Sequence, residues 1–161
     1  YLLALGGSTD VDKINIHGQV FYASGQDPDE EEDITAFIAP AGQSYYWSEI
    51  MGLGIFDYQA SNAACDDNIT DTMALNLGAS FKVSDKLTLK GDVWFAQLAE
   101  DDEYGNTDLG TEIDLGLKYA LLDNVSLDVV AAYLMAGDAT TEESDDEADP
   151  MELGTRVSFS F

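Results

Sequence analysis

Apolar side chains recur at every second position through six segments of 11 or 12 residues. A period of two is the signature of a β-strand with one apolar face, because successive side chains point to opposite sides. The pattern is cleanest at the end of the chain. In residues 151–161, Met151, Leu153, Thr155, Val157, Phe159 and Phe161 share one face, and Glu152, Gly154, Arg156, Ser158 and Ser160 share the other. Residues 13–24, 72–83, 87–98, 109–120 and 125–136 repeat the alternation, led by Ile14, Met73, Leu87, Leu109 and Val125. A partial seventh strand is expected at residues 1–6, with a short turn at 7–12. No segment stands out with a helical period.

Strand length narrows the choice. Soluble strands usually hold about 5–6 residues, whereas a tilted strand that crosses a bilayer needs roughly 9–11. The connections point the same way. Short turns at 7–12, 84–86 and 123–124 alternate with three long segments at 25–70, 99–108 and 137–150. Short turns on one side and long loops on the other are typical of outer-membrane barrels. The sequence therefore predicts an all-β, antiparallel, up-and-down transmembrane β-barrel, with its C-terminus in the periplasm and its long loops outside.

Charge supports that topology independently. The chain has 161 residues, 32 acidic and six basic, for a formal net charge of −26. Of the acidic residues, 22 fall in the three long segments, and none of the Lys or Arg does. Such acidity excludes nucleic acid as a partner, because phosphate binding needs a basic surface. It also disfavours simple electrostatic binding to anionic lipid. High charge can signal disorder, but 45% hydrophobic and 11% aromatic residues are too many for a disordered chain. No run of 18 apolar residues is present, which excludes a transmembrane helix and leaves a strand-built span open. On the apolar faces, Tyr22, Phe95 and Tyr133 fall at the expected outer strand ends, and Phe81, Tyr119, Phe159 and Phe161 at the inner ends. Two aromatic girdles flanking an aliphatic band are a feature of such barrels.

The polar face is the candidate pore lining. It carries Lys13, Asn15, His17, Gln19, Lys82, Lys90, Asp92, Glu112, Asp114, Lys118, Asp128, Glu152 and Arg156 among small Gly, Ala and Ser. His17, the only histidine, lies between Asn15 and Gln19 and reads as a pore-wall residue, since a catalytic partner would have to come from another strand. No enzymatic activity, no cofactor and no metal site is expected. The acidic clusters Asp27–Asp33, Glu100–Glu103 and Glu142–Asp149, and the run Asp66-Asp67-Asn68-Ile69-Thr70-Asp71, lack EF-hand spacing. They read as solvated negative surface, with divalent ions bridging them to lipopolysaccharide phosphates as a softer possibility. Cys65 is the single cysteine, so no internal disulfide forms. Segment 25–70 is too long for an ordinary loop, and Tyr45, Tyr46, Trp47, Ile50, Met51, Leu53, Ile55 and Phe56 are too apolar for a freely solvated one. Two readings stay open: a constriction folded into the lumen or over a neighbour, and a packed extracellular cap.

The terminal residues Val157-Ser158-Phe159-Ser160-Phe161 resemble the C-terminal targeting strand of Gram-negative outer-membrane barrels. That resemblance implies that Val157, Phe159 and Phe161 form an assembly signal read by the barrel-assembly machinery. Tyr22-Ala23-Ser24-Gly25, the loop start Asp27-Pro28-Asp29-Glu30 and Trp47-Ser48-Glu49-Ile50-Met51-Gly52 resemble the C-terminal part of porins from sulfate-reducing and related bacteria. The chain is also similar to alginate-export-type barrels. The porin resemblance implies a water-filled channel in an outer membrane, trimeric or monomeric with a homotrimer expected, and passage of small hydrophilic solutes. Because the chain opens on Tyr1-Leu2-Leu3-Ala4-Leu5, it reads as starting inside a strand. It is expected to be the C-terminal portion of a barrel of about 16 strands. The alternatives are a channel specific for acidic sugars, a small closed eight-stranded structural barrel, and a soluble sandwich that buries its apolar face against a second sheet.

Overall fold

The computed structural model describes residues 1–26, 33–39, 47–52, 54, 69–102, 104–141 and 149–161. The expectations placed on Tyr45, Tyr46, Leu53, Ile55, Phe56, Cys65 and residues 66–68, and on most of the clusters at 27–33 and 142–149, lie outside the described residues.

Seven strands form one antiparallel sheet, ordered in space as in sequence. They are β1 (Leu2–Val11), β2 (Ile14–Ala23), β3 (Thr72–Lys82), β4 (Leu87–Gln97), β5 (Asp108–Leu122), β6 (Val125–Ala136) and β7 (Met151–Phe159). β1 pairs only with β2, and β7 only with β6, so the sheet is open. A four-residue helix, α1 (Asp138–Thr141), lies in the last long connection. The up-and-down order puts the turns at 12–13, 83–86 and 123–124 at one end of the sheet. The long connections gather at the other.

The first hairpin corrects the sequence reading. Residues 7–12 are not a turn: β1 continues to Val11 and pairs residue for residue with β2, down to Val11↔Ile14. Gly6-Gly7-Ser8 has turn-like composition, but a ten-residue partner strand outweighs that local preference. The turn is the two-residue loop Asp12-Lys13, with Asp12 at φ 57°. Asp tolerates this left-handed region better than most residues. Two further details were not legible. The β4–β5 register shifts at Ala96/Gln97, where Gly110 holds φ 120°. A Cβ on Gly110 would lie 2.3 Å from the Met135 carbonyl oxygen. β5 also runs past residue 120, with a second shift between Ala120 and Leu122.

The two faces of the sheet are inverted relative to a water-soluble protein. The apolar face is the open one: Val20, Leu75, Leu77, Phe95, Leu115, Leu153 and Val157 are all exposed. The polar face is the covered one. It buries Asn76, Asp92, Glu112, Asp114 and Asp128 beside Phe21, Trp94, Ala96 and Leu134. Tyr22, Phe95 and Tyr133 lie toward the long-connection end of the apolar face, and Phe81, Tyr119 and Phe159 toward the turn end.

Candidate functional site: the polar face of the sheet

At the long-connection end, the polar face is covered by part of the 25–70 segment. Trp47 packs edge-on against Phe21, at 5.2 Å between ring centroids, and against Trp94, at 5.1 Å. T-shaped contacts of this kind let the positive ring edge meet the negative ring face. Ile69, Ala74 and Ala96 complete the cluster. The chain then turns through residues 48–52, where the Ser48 hydroxyl accepts the Gly52 N–H at 2.8 Å. The turn presents two consecutive amides to one side chain. Ile50 N–H donates to Glu112 Oε1 at 2.7 Å, and Met51 N–H donates to Oε2 at 2.8 Å. Glu112 is fully buried, and these charge-assisted bonds satisfy a carboxylate that would otherwise be costly to bury.

Midway along the strands, Asp92 gathers side chains from three strands. Its Oδ1 lies 2.8 Å from His17 Nε2 and accepts the Asn76 amide at 3.1 Å. Its Oδ2 lies 2.8 Å from Lys90 Nζ. His17 sits on β2 and Asp92 on β4, two strands apart. They meet because Gly78 on β3 lies between them in register. A Cβ on Gly78 would lie 2.3 Å from Asp92 Oδ1 and 2.5 Å from His17 Nε2. The other His17 ring nitrogen, Nδ1, is 3.3 Å from Asn15 Oδ1, and Asn15 also donates to Asp10 at 2.8 Å. Both ring nitrogens of His17 are thus engaged. An open groove of about 410 Å³ runs beside this network, lined by His17, Gln19, Trp47, Asn76, Lys90 and Asp92.

At the turn end, Asp128 stands between two cations, with Arg156 at 3.5 Å and Lys118 at 4.0 Å. Lys82 ends β3, and Lys13 lies in the first turn rather than in a strand. The Lys82 amide nonetheless donates to the Lys13 carbonyl at 2.9 Å, which makes the two residues neighbours. Glu152 stands opposite Ala132. Asp114 neighbours Asp92 in register, and its Oδ1 has no hydrogen-bond partner among the described residues.

Alternation alone therefore put the candidate pore-lining residues on one face, and pairing sorts them into three zones. The sequence reading did not single out Asn76, Gly78 or Trp94 as site residues, although all three fall on the polar face by parity. It also could not find the backbone amides of Ile50 and Met51, because they meet Glu112 across about 60 residues of chain. Outside the strands, two carboxylates are held by local donors. The Asn106 and Tyr104 amides donate to Asp102 at 2.7 and 2.8 Å and keep its carboxyl below the ordinary range. The Tyr133 hydroxyl, with help from the Ala136 amide, does the same for Asp149. Comparison with known protein-family models and with curated proteins finds no match.

Proposed function

We propose that this chain is part of an outer-membrane β-barrel that forms a water-filled, cation-preferring channel for small hydrophilic solutes. The inverted polarity of the sheet carries the reading. Seven strands of about ten residues make a face of roughly 1,000 Å² at ordinary strand spacings. Monomeric soluble proteins rarely leave more than a few hundred Å² of contiguous apolar surface in water. Lipid is the environment that suits an open apolar face backed by a covered polar one. The dimensions agree. Met73 to Phe81 on β3 spans eight residue steps, or ~27 Å along the strand. At a tilt of about 40° that rises ~21 Å, most of the ~25 Å apolar band of such barrels.

In this reading the open edges of β1 and β7 pair with further strands of the barrel. The polar face lines the lumen, and the turn at 48–52 narrows it. The 22 acidic residues of the long connections crowd the outer mouth, where their field concentrates cations. Divalent ions there bridge the loops to lipopolysaccharide. The terminal strand, with Val157, Phe159 and Phe161, serves the barrel-assembly machinery, and the assembled protein is a homotrimer.

One observation favours a second reading. Lys13, Lys82, Lys118 and Arg156 collect at the turn end of the polar face, which would suit a channel for acidic solutes such as acidic sugars. Reversal potential across a planar bilayer under a potassium chloride gradient decides between them. Cation preference at low salt is the expected result. Anion preference would shift the assignment to the acidic-solute channel, and no conductance at all would favour a closed structural barrel.

A further inference from the structure

Four of the six basic residues fall on one register row. From β2 to β7 the row reads Lys13, Lys82, Thr88, Lys118, Asp128 and Arg156. Only Asp128 opposes the four cations within the row, which leaves it strongly positive. The turn residues Asp12, Asp85, Lys86 and Asp123 lie beyond it and are exposed, so bulk water screens them. Four residues further along each strand the charge changes character. That row carries His17, Asp92, Asp114 and Glu152, and its one cationic neighbour is Lys90 of the row between, paired with Asp92 at 2.8 Å. Beyond it the strands run into the long connections, which in sequence carry 22 acidic residues and no Lys or Arg; eight of those acidic residues are among the described ones. At ~3.3 Å per residue the two rows are about 13 Å apart. The screening length is about 10 Å at 0.1 M salt. At that ionic strength the basic row and the acidic end are electrostatically separate zones, placed in series along the strands.

We infer that the channel is an ionic rectifier, built from a negative zone at the long-connection end and a positive zone at the turn end. This rests on the channel reading above. The physics is that of a junction between fixed charges of opposite sign. Cations accumulate in the negative zone and anions in the positive zone. A voltage positive on the long-connection side drives both carriers toward the junction, fills it with mobile ions and raises the conductance. The opposite voltage pulls both away and depletes it. Cation selectivity alone predicts neither this asymmetry nor its sign.

The test is single-channel current at equal and opposite voltages in symmetric potassium chloride, using the full chain. Orientation is fixed independently. In a Cys65→Ser background, Thr141→Cys is modified by an impermeant thiol reagent added to one side. At about 0.1 M salt the current with the long-connection side positive should exceed the reverse current by roughly twofold or more. At about 1 M, where screening acts within roughly 3 Å, the current should become ohmic. Lys82→Glu with Lys118→Glu should abolish the asymmetry while the channel still conducts. Lys82→Gln with Lys118→Gln should weaken it by an intermediate amount. Both positions are exposed, Lys82 at the end of β3 and Lys118 in the last third of β5, so the variants are expected to fold. A conducting but ohmic channel at 0.1 M, or the opposite sign, overturns the rectifier and leaves the channel reading standing. Absence of conductance overturns both.

Discussion

Single residues on the polar face act by what they leave out as much as by what they supply. Gly78 is the clearest case, since the His17–Asp92 contact passes through the space its side chain would fill. Gly78→Ala should separate His17 from Asp92 and shift the ring nitrogen resonances of His17. The stability cost should be about 1–3 kcal/mol, from a buried acceptor left under-satisfied. Unchanged His17 resonances would mean that the pair does not depend on Gly78. Asp102 makes a different prediction. Amide donors lower its folded pKa below the ordinary 3.8, so the order it gives the 98–107 connection is complete above pH ~3.8 and is lost as pH falls through the lowered value. Protection of the Tyr104 and Asn106 amides, taken relative to the intrinsic exchange rate at each pH, should fall in that acid window and stay level from pH 5 to 7. A loss of protection that began near neutrality would point to another group.

Elements follow a different logic, because strands announce themselves locally and their coverings do not. β2 to β7 were legible from period two alone, since an alternating run of ten residues admits few other structures. The end of β1 was not legible, because residues 7–12 carry no alternation of their own and only their pairing with β2 makes them strand. The covering turn at 48–52 was half legible. Trp47, Ile50 and Met51 marked the segment as too apolar for solvent, but nothing local says that Trp47 inserts between Phe21 and Trp94. Nor does it say that Glu112 holds the next two amides. Glu112→Ala removes both acceptors, each charge-assisted bond contributing about 1.5–3 kcal/mol. Amide exchange at Ile50 and Met51 should accelerate sharply, and single-channel conductance should rise as the turn leaves the lumen. Glu112→Gln, which keeps one acceptor oxygen, should fall between. Unaltered exchange in Glu112→Ala would show that aromatic packing alone holds the turn.

At the scale of the whole molecule, the account turns on which face of the sheet meets lipid. The candidate pore-lining residues, the girdles and the series of charged zones all follow from that assignment. The sorting of side chains onto two faces was the part most legible in the sequence, because parity alone gives it; that the apolar face meets lipid is the proposal built on it. Pairing then added the zones along the strands, which no single segment could reveal.

The most direct measurement is a nitroxide scan along β5, one label at a time from residue 113 to 118, in the full chain reconstituted in vesicles on a Cys65→Ser background. Ile113, Leu115 and Leu117 should be accessible to oxygen, which concentrates in the bilayer, and shielded from a water-soluble nickel complex. Asp114, Gly116 and Lys118 should show the reverse, with Lys118 the most accessible to nickel. Shielding of Ile113, Leu115 and Leu117 from both reagents would mean that protein covers the apolar face, which would contradict the membrane assignment.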